Sequence, residues 1–200
     1  MITRRGAIAG AVGCLALPRP GAAEAPLLDA AVAAGDLPPE AHRLPRNPRV
    51  IDLPAMGRET GRQGGTLTTL VGGQRDVRII PLYSYARLVG YGPDLELVPD
   101  ILAAVDVERE RRFTFHLREG HRWSDGTPFT TEDFRYTWED VITNKKLYKG
   151  GPPVELISHG EVAQFELIDE VTVRYTFAGP MPDFLPKLAA PLPLILFMPS

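Results

Sequence analysis

The sequence predicts a mixed fold of helices and strands, α/β in content and α+β in arrangement, and three stretches carry that prediction. Phe113, Phe115 and Leu117 alternate with Thr114, His116 and Arg118, the period of a half-buried strand. Phe134, Trp138, Val141 and Ile142 recur at helical spacing and form a single apolar stripe. Residues 165–168 and 171–177 flank Asp169-Glu170 as two strands around a turn, the second turning Val171, Val173, Tyr175 and Phe177 inward. A chain of 200 residues with 44% hydrophobic and 24% charged residues has ordinary globular composition, which excludes collagen, coiled coil and wholesale disorder. The 19 glycines and 20 prolines add many turns and long connections.

Taken in order, the chain opens with Arg4-Arg5, a small-residue apolar run from Ala7 to Leu17, and Pro18 to Ala25. That order describes a cleavable export signal over residues 1–23, with cleavage after Ala23. Pro18 and Arg19 stop the run well short of the roughly 20 apolar residues needed to span a bilayer. Thr3-Arg4-Arg5 resembles a twin-arginine signal, although Ala7 and Ile8 stand where Phe and Leu are usual, so the general and twin-arginine routes both stay open. The single cysteine, Cys14, lies inside this segment, and Ala11 replaces the Leu usual for lipoprotein processing, so loss with the signal is expected rather than a lipid anchor. A mature chain without cysteine suits an oxidising compartment such as the periplasm.

Residues 27–34 read as a short helix stopped by Gly35, and the prolines at 38, 39, 45 and 48 make residues 24–63 an extended arm. Val50-Ile51 is expected as a short strand and residues 65–71 as a longer one ended by Gly72-Gly73, opening a binding domain over residues 64–200. Residues 77–89 read as a short helix or irregular segment, and 101–107 as extended and partly buried. Asp125-Gly126 closes a turn, and Thr130 caps the next helix with Asp133 as its reciprocal acid. Residues 149–160 read as a loop, and Phe184 to Ala189 as a helical turn before Pro191 and Pro193.

Charge and motif content narrow the chemistry. A net charge of −3 offers no basic field for a phosphate backbone, so no nucleic acid partner is expected. The glycines at 57, 61, 64 and 65 lack the spacing and lysine of a phosphate loop. There is no Gly-x-Ser-x-Gly elbow, and the adjacent carboxylates Glu132-Asp133, Glu139-Asp140 and Asp169-Glu170 diverge, suiting caps and turns better than acid-base catalysis. His116 and His121 with Asp125 can be drawn as metal ligands, but a strand-face and a loop histidine are the plainer expectation. No catalytic residue, metal or cofactor is therefore expected. Trp123, Phe134 and Trp138 are expected in the core rather than as a ligand platform.

The stretch from Phe113 to Phe134, containing His116-Leu117-Arg118-Glu119-Gly120, Trp123-Ser124-Asp125-Gly126-Thr127-Pro128-Phe129 and Glu132-Asp133, resembles the signature of family 5 extracellular solute-binding proteins. These are oligopeptide, dipeptide and nickel-type receptors of ABC importers. Gly64-Gly65-Thr66-Leu67, Val98-Pro99-Asp100-Ile101-Leu102-Ala103 and residues 165–173 resemble further segments of the family, and the arm resembles an extension found in one subgroup. The resemblance implies part of a two-lobed periplasmic binding fold of type II character, lacking the C-terminal portion, with lobes that close on a ligand. On that reading the chain is a truncated fragment, and residues 194–200 form an apolar run without a following partner.

The resemblance further implies a monomeric, periplasmic, non-enzymatic receptor for peptides or related small solutes that works with membrane permease subunits. It places residues 75–85 near the cleft between lobes, with Tyr83, Ser84 and Tyr85 against peptide backbone and Arg75 facing a carboxylate. Core aromatics and a solvated arginine are the equal alternative for these residues. An exported hydrolase with an unrecognised site, or a non-binding degenerate product, are the other readings.

Overall fold

The computed structural model describes residues 26–61, 66–79 and 86–200. The export signal, Cys14 and the residues Tyr83, Ser84 and Tyr85 lie outside the described residues. The chain divides into two compact units, one ending at Leu37 and one spanning Pro38–Ser200. In the first, helix α1 (Pro26–Ala34) ends as the sequence predicts. Gly35 takes φ +79°, and the amides of Gly35 and Asp36 turn back onto the carbonyls of Val32 and Ala31.

The second unit is built on one four-stranded antiparallel sheet. Its strands are β3 (Leu102–Glu108), β4 (Arg112–Leu117), β7 (Gln164–Asp169) and β8 (Thr172–Thr176), in the spatial order β3-β4-β8-β7. Both edge strands carry a register shift, at Leu102/Ala104 and at Leu167/Asp169, irregularities that discourage edge-to-edge pairing. The predicted alternation holds. Phe113, Phe115, Leu117, Val173, Tyr175 and Phe177 are all buried on one face. The opposite face is polar: Arg174 Nε donates to Thr114 Oγ1 at 3.1 Å, and His116 Nε2 lies 2.8 Å from Asp106 Oδ2.

Two helices close the apolar face. The capped segment begins as α3 (Thr131–Tyr136), lying against β7 and β8, and continues through a π-helical stretch, Thr137–Ile142. The wider turn retains the predicted stripe: Phe134 and Ile142 are buried, while Trp138 and Val141 are half-buried. Trp138 is thus less enclosed than the sequence suggests, because it covers the sheet edge, stacked on Phe165 with ring centroids 5.6 Å apart. The second helix, α4 (Phe184–Ala189), inserts Phe184 among Phe113, Phe115, Tyr175 and Phe177, with centroid distances of 4.9 Å to Phe113 and Phe177. Fully buried edge-to-face rings of this kind carry much of the burial energy of a small core.

Several expectations are corrected. Leu88-Val89 leads into a strand, β1 (Val89–Tyr91), paired with β2 (Leu97–Pro99), rather than ending a short helix or irregular segment. Residues 149–160 contain a 3₁₀ turn, Val154–Leu156, and the strand β5 (Ile157–Ser158), which forms a hairpin with β6 (Glu161–Val162) just beyond them. Its turn places His159 and Gly160 at φ +54° and +80°, the left-handed pair that matches hairpin twist. The arm includes one helical turn, α2 (Glu40–Arg43), that starts directly after Pro39, where proline is tolerated.

Val50-Ile51 and residues 66–71 are not strands. They are exposed and irregular because, among the described residues, no strand edge supplies the ladder of hydrogen bonds that a strand requires. The apolar run 194–200 also departs from expectation, since it packs back on the domain. Leu196 is buried and Phe197 meets Trp123, Phe129 and Phe134, although Leu192 and Ile195 stay exposed.

The β3–β4 turn uses Arg109 and Glu110 at φ +52° and +54°, a conformation that suits Asn-Gly better than two side chains with a Cβ. Tertiary bonds hold it there. Glu110 O accepts from Met181 N at 2.6 Å, Arg111 Nε donates to Phe177 O, and Phe177 N donates to Arg111 O. Glu110→Gly is expected to raise stability by about 0.5–1 kcal/mol by relieving this strain, measured by chemical denaturation.

Tyr175 presents a second contrast. It is fully buried with no hydrogen-bond partner for its hydroxyl among the described residues, and burial raises its pKa. Tyr175→Phe should therefore leave stability unchanged or raise it by about 1 kcal/mol, since no bond is lost and an unsatisfied group is removed. Phe184→Ala in the same cluster should cost about 3–5 kcal/mol. Equal losses for the two variants would refute this account of the core.

Candidate ligand-binding face

Two glycines and an aspartate shape the segment that carries Arg75. After Gly72-Gly73 the chain enters a 3₁₀ turn, Gln74–Ile79, in which Asp76 N donates to Gly73 O and Gly73 N donates to Asp76 Oδ2, both at 2.9 Å. A Cβ on Gly72 would lie 3.2 Å from that carboxylate oxygen, so the close loop favours glycine. Asp76 closes the turn on itself and Arg75 stands exposed. Of the predicted contact residues Arg75, Tyr83, Ser84 and Tyr85, only Arg75 lies among those described.

Immediately after that stretch the backbone is anchored to Asp100. Arg87 N donates to Asp100 Oδ2 at 3.2 Å, Ile101 N to Arg87 O at 2.9 Å, and Arg87 Nε to Ala190 O at 3.0 Å. Arg49 of the arm pairs with Asp100 Oδ1 at 2.9 Å. Arg118, at the end of β4, donates to the carbonyls of both Asp100 and Asn47. Arg46 N donates to Glu119 O, and the two side chains form an exposed ion pair at 2.5 Å. An extended arm with no sheet of its own is thereby fastened through guanidinium groups, which present several directed donors to carbonyls and carboxylates. The sequence reading missed Asp100 as the centre of this arrangement. Its one visible signal is an acidic residue between Pro99 and a strand, amid scattered arginines.

Beside this anchor, Ile101, His121, Arg122, Trp123, Phe129 and Phe197 line a cavity of about 90 Å³. The turn that builds it follows the predicted motif. Asp125 Oδ1 accepts from Thr127 N at 2.9 Å and Thr127 Oγ1 at 2.7 Å, bonds that lower the Asp125 pKa, while Gly126 takes φ +89°. Phe129 N returns to His121 O, which brings the two rings edge to face.

The capping box forms as predicted, Asp133 Oδ2 accepting from Thr130 N at 2.9 Å. Asp133 does more than cap. It is 2% exposed, its Oδ2 also accepts from Trp123 Nε1 at 3.2 Å and its Oδ1 from Ser200 N at 3.1 Å. Three N–H donors thus solvate the carboxylate in place of water.

The residues drawn as possible metal ligands are engaged separately. His116 faces Asp106 on the sheet, His121 borders the cavity, and Asp125 is occupied by Thr127. Among the described residues no group of three or more His, Cys, Asp or Glu converges to hold a metal ion. The adjacent carboxylates serve local structure. Glu132 and Glu139 bind Arg135, raising its pKa, and Asp169 Oδ1 accepts from Val171 N at the β7–β8 turn.

Burial lowers the His121 pKa from 6.5, helped by the Arg118 charge and opposed by Asp100. The folded state therefore favours neutral imidazole, and its contribution is complete above the unfolded value of 6.5 and is lost as pH falls toward the lower folded value. Unfolding free energy should decline on acidification through that window, and His121→Gln should flatten that portion of the pH profile. An unchanged profile in the variant would exclude His121 as the source.

The profile of the bacterial extracellular solute-binding proteins, family 5 Middle, matches residues 96–198. The periplasmic alpha-galactoside-binding protein of Rhizobium meliloti is 30% identical over 175 residues, covering 76% of this chain and 24% of that protein. An oligopeptide-binding protein OppA of known structure superposes with a TM-score of 0.69 at 30% identity, over 82% of this chain and 25% of its own. The periplasmic binding protein MelB of Agrobacterium fabrum, solved with stachyose, gives 0.63 at 27% identity, over 82% and 28%. The chain spans about a quarter of the length of these relatives. Among the described residues no helix is long and apolar enough to cross a membrane. The matched region contains the signature strand, turn and capped helix together with the hairpin and closing helix that pack on them, and the chain belongs to the bacterial extracellular solute-binding proteins, family 5.

Proposed function

We propose that the chain supplies part of one lobe of an exported, non-enzymatic receptor that captures a small solute in the periplasm and hands it to the membrane permease subunits of an ABC importer. The observation that carries this reading is the superposition of most of the chain on solved receptors of the family. Peptides or related solutes are the ligand class first proposed, with Arg75 pairing a ligand carboxylate and Tyr83, Ser84 and Tyr85 packing along its backbone. The exposure of the Arg75 side chain supports that assignment.

A galactoside is the second reading. It is favoured by the long match to the alpha-galactoside-binding relative and by the stachyose held in the MelB structure. Titration calorimetry of the polypeptide with trialanine and with stachyose separates the two. Under the peptide reading trialanine binds, and Arg75→Ala weakens it by about tenfold through loss of a charge-assisted pair. Stachyose binding that is indifferent to Arg75→Ala would establish the sugar reading, and binding of neither would overturn a receptor role for this chain alone.

A further inference from the structure

A second cavity, of about 290 Å³, lies where the 3₁₀ turn Val154–Leu156 meets α4. Ile157, Met181 and the fully buried Phe184 form its apolar lining, and Glu155, Asp183 and Lys187 supply charges. Its volume is close to the lower end of small-molecule sites, which combine an apolar lining with a few placed polar groups.

Asp183 and Lys187 are exposed and Glu155 is half-buried. Asp183 occupies the N-cap position of α4, where an aspartate ordinarily accepts from the helix amides, yet it makes no side-chain cap bond. Among the described residues Glu155, Asp183 and Lys187 form no ion pair, although Asp183 and Lys187 stand four residues apart. By contrast Arg135 on α3 engages Glu132, Glu139 and Asp140 at once. The cavity therefore presents two uncommitted carboxylates and one uncommitted ammonium around an apolar lining.

From this juxtaposition we infer that the cavity binds a zwitterionic aliphatic α-amino acid. The ligand ammonium meets Glu155 and Asp183, the ligand carboxylate meets Lys187, and the side chain lies on Val154, Ile157 and Met181. A neutral aliphatic molecule would leave all three charges unused, and an anion or a cation alone would face a like charge without compensation. The cavity includes none of Arg75, Tyr83, Ser84 or Tyr85, so this inference and the proposed receptor function stand or fall separately.

The test uses the full 200-residue chain with ¹³C-methyl methionine, whose four methionines make the Met181 resonance assignable through Met181→Leu. L-Leucine should shift the Met181 methyl saturably. L-Leucinamide, without the carboxylate, and N-acetyl-L-leucine, without the ammonium, should each bind about tenfold more weakly. Lys187→Met should abolish the preference for leucine over leucinamide, and the double variant Glu155→Gln, Asp183→Asn the preference over N-acetyl-leucine. An unchanged Met198 methyl in each variant reports an intact fold. Absence of a saturable Met181 shift, equal affinity for the three compounds, or charge preferences that survive these substitutions would overturn the inference.

Discussion

A carboxylate removed from water must be resolvated by the protein, and at Asp133 that requirement ties three parts of the chain together. Its donors come from the helix start at Thr130, the indole of Trp123 in the preceding turn, and the backbone of Ser200. The Asp133 carbonyl accepts from Thr137 Oγ1 at 2.7 Å within the helix. Such a group is costly if any donor is withdrawn, because its charge would then be buried and under-solvated. The helix entry, the Asp125-Gly126 turn and the returning apolar segment are consequently fixed as a unit, with Phe129, Phe134 and Phe197 filling the space beside them.

The same logic, in reverse charge, governs the arm. Residues 44–50 have too many prolines and too little apolar surface to form a layer of their own, so directed bonds take the place of burial. Asp100 and the guanidinium groups of Arg49 and Arg118 supply them at the junction of β2 and β3, next to the end of β4. Arg87, which is bonded into this junction, follows Tyr85 by two positions in the sequence. Directed bonds of this kind hold a backbone rigidly, and imprecise placement of any binding residue lowers affinity.

Legibility followed the range of the interaction. The β4 alternation, the α3 stripe and its capping box, and the β7–β8 hairpin are periodic or local, and all appear in the structure where the residues indicate. The β3–β4 turn was illegible because Arg109-Glu110 carries no turn preference, its left-handed backbone being held by contacts with Phe177 and Met181 far along the chain. Residues 66–71 failed in the other direction: their composition favours a strand, but pairing requires a partner that local composition does not provide. In the candidate site, Arg75 is legible as an exposed cation, whereas the anchoring role of Asp100 depends on residues 13 to 51 positions away.

By itself the sequence determined the mixed class, the signature strand, turn and helix, and through them the family, because side-chain period and turn chemistry act over a few residues. Tertiary structure alone decided the strand order β3-β4-β8-β7, the burial of the Asp133 carboxylate and the gathering of Glu155, Asp183 and Lys187 around one cavity. Those features arise from groups brought together across long separations, where the net of burial, desolvation and chain entropy is settled by the whole fold rather than by any one segment.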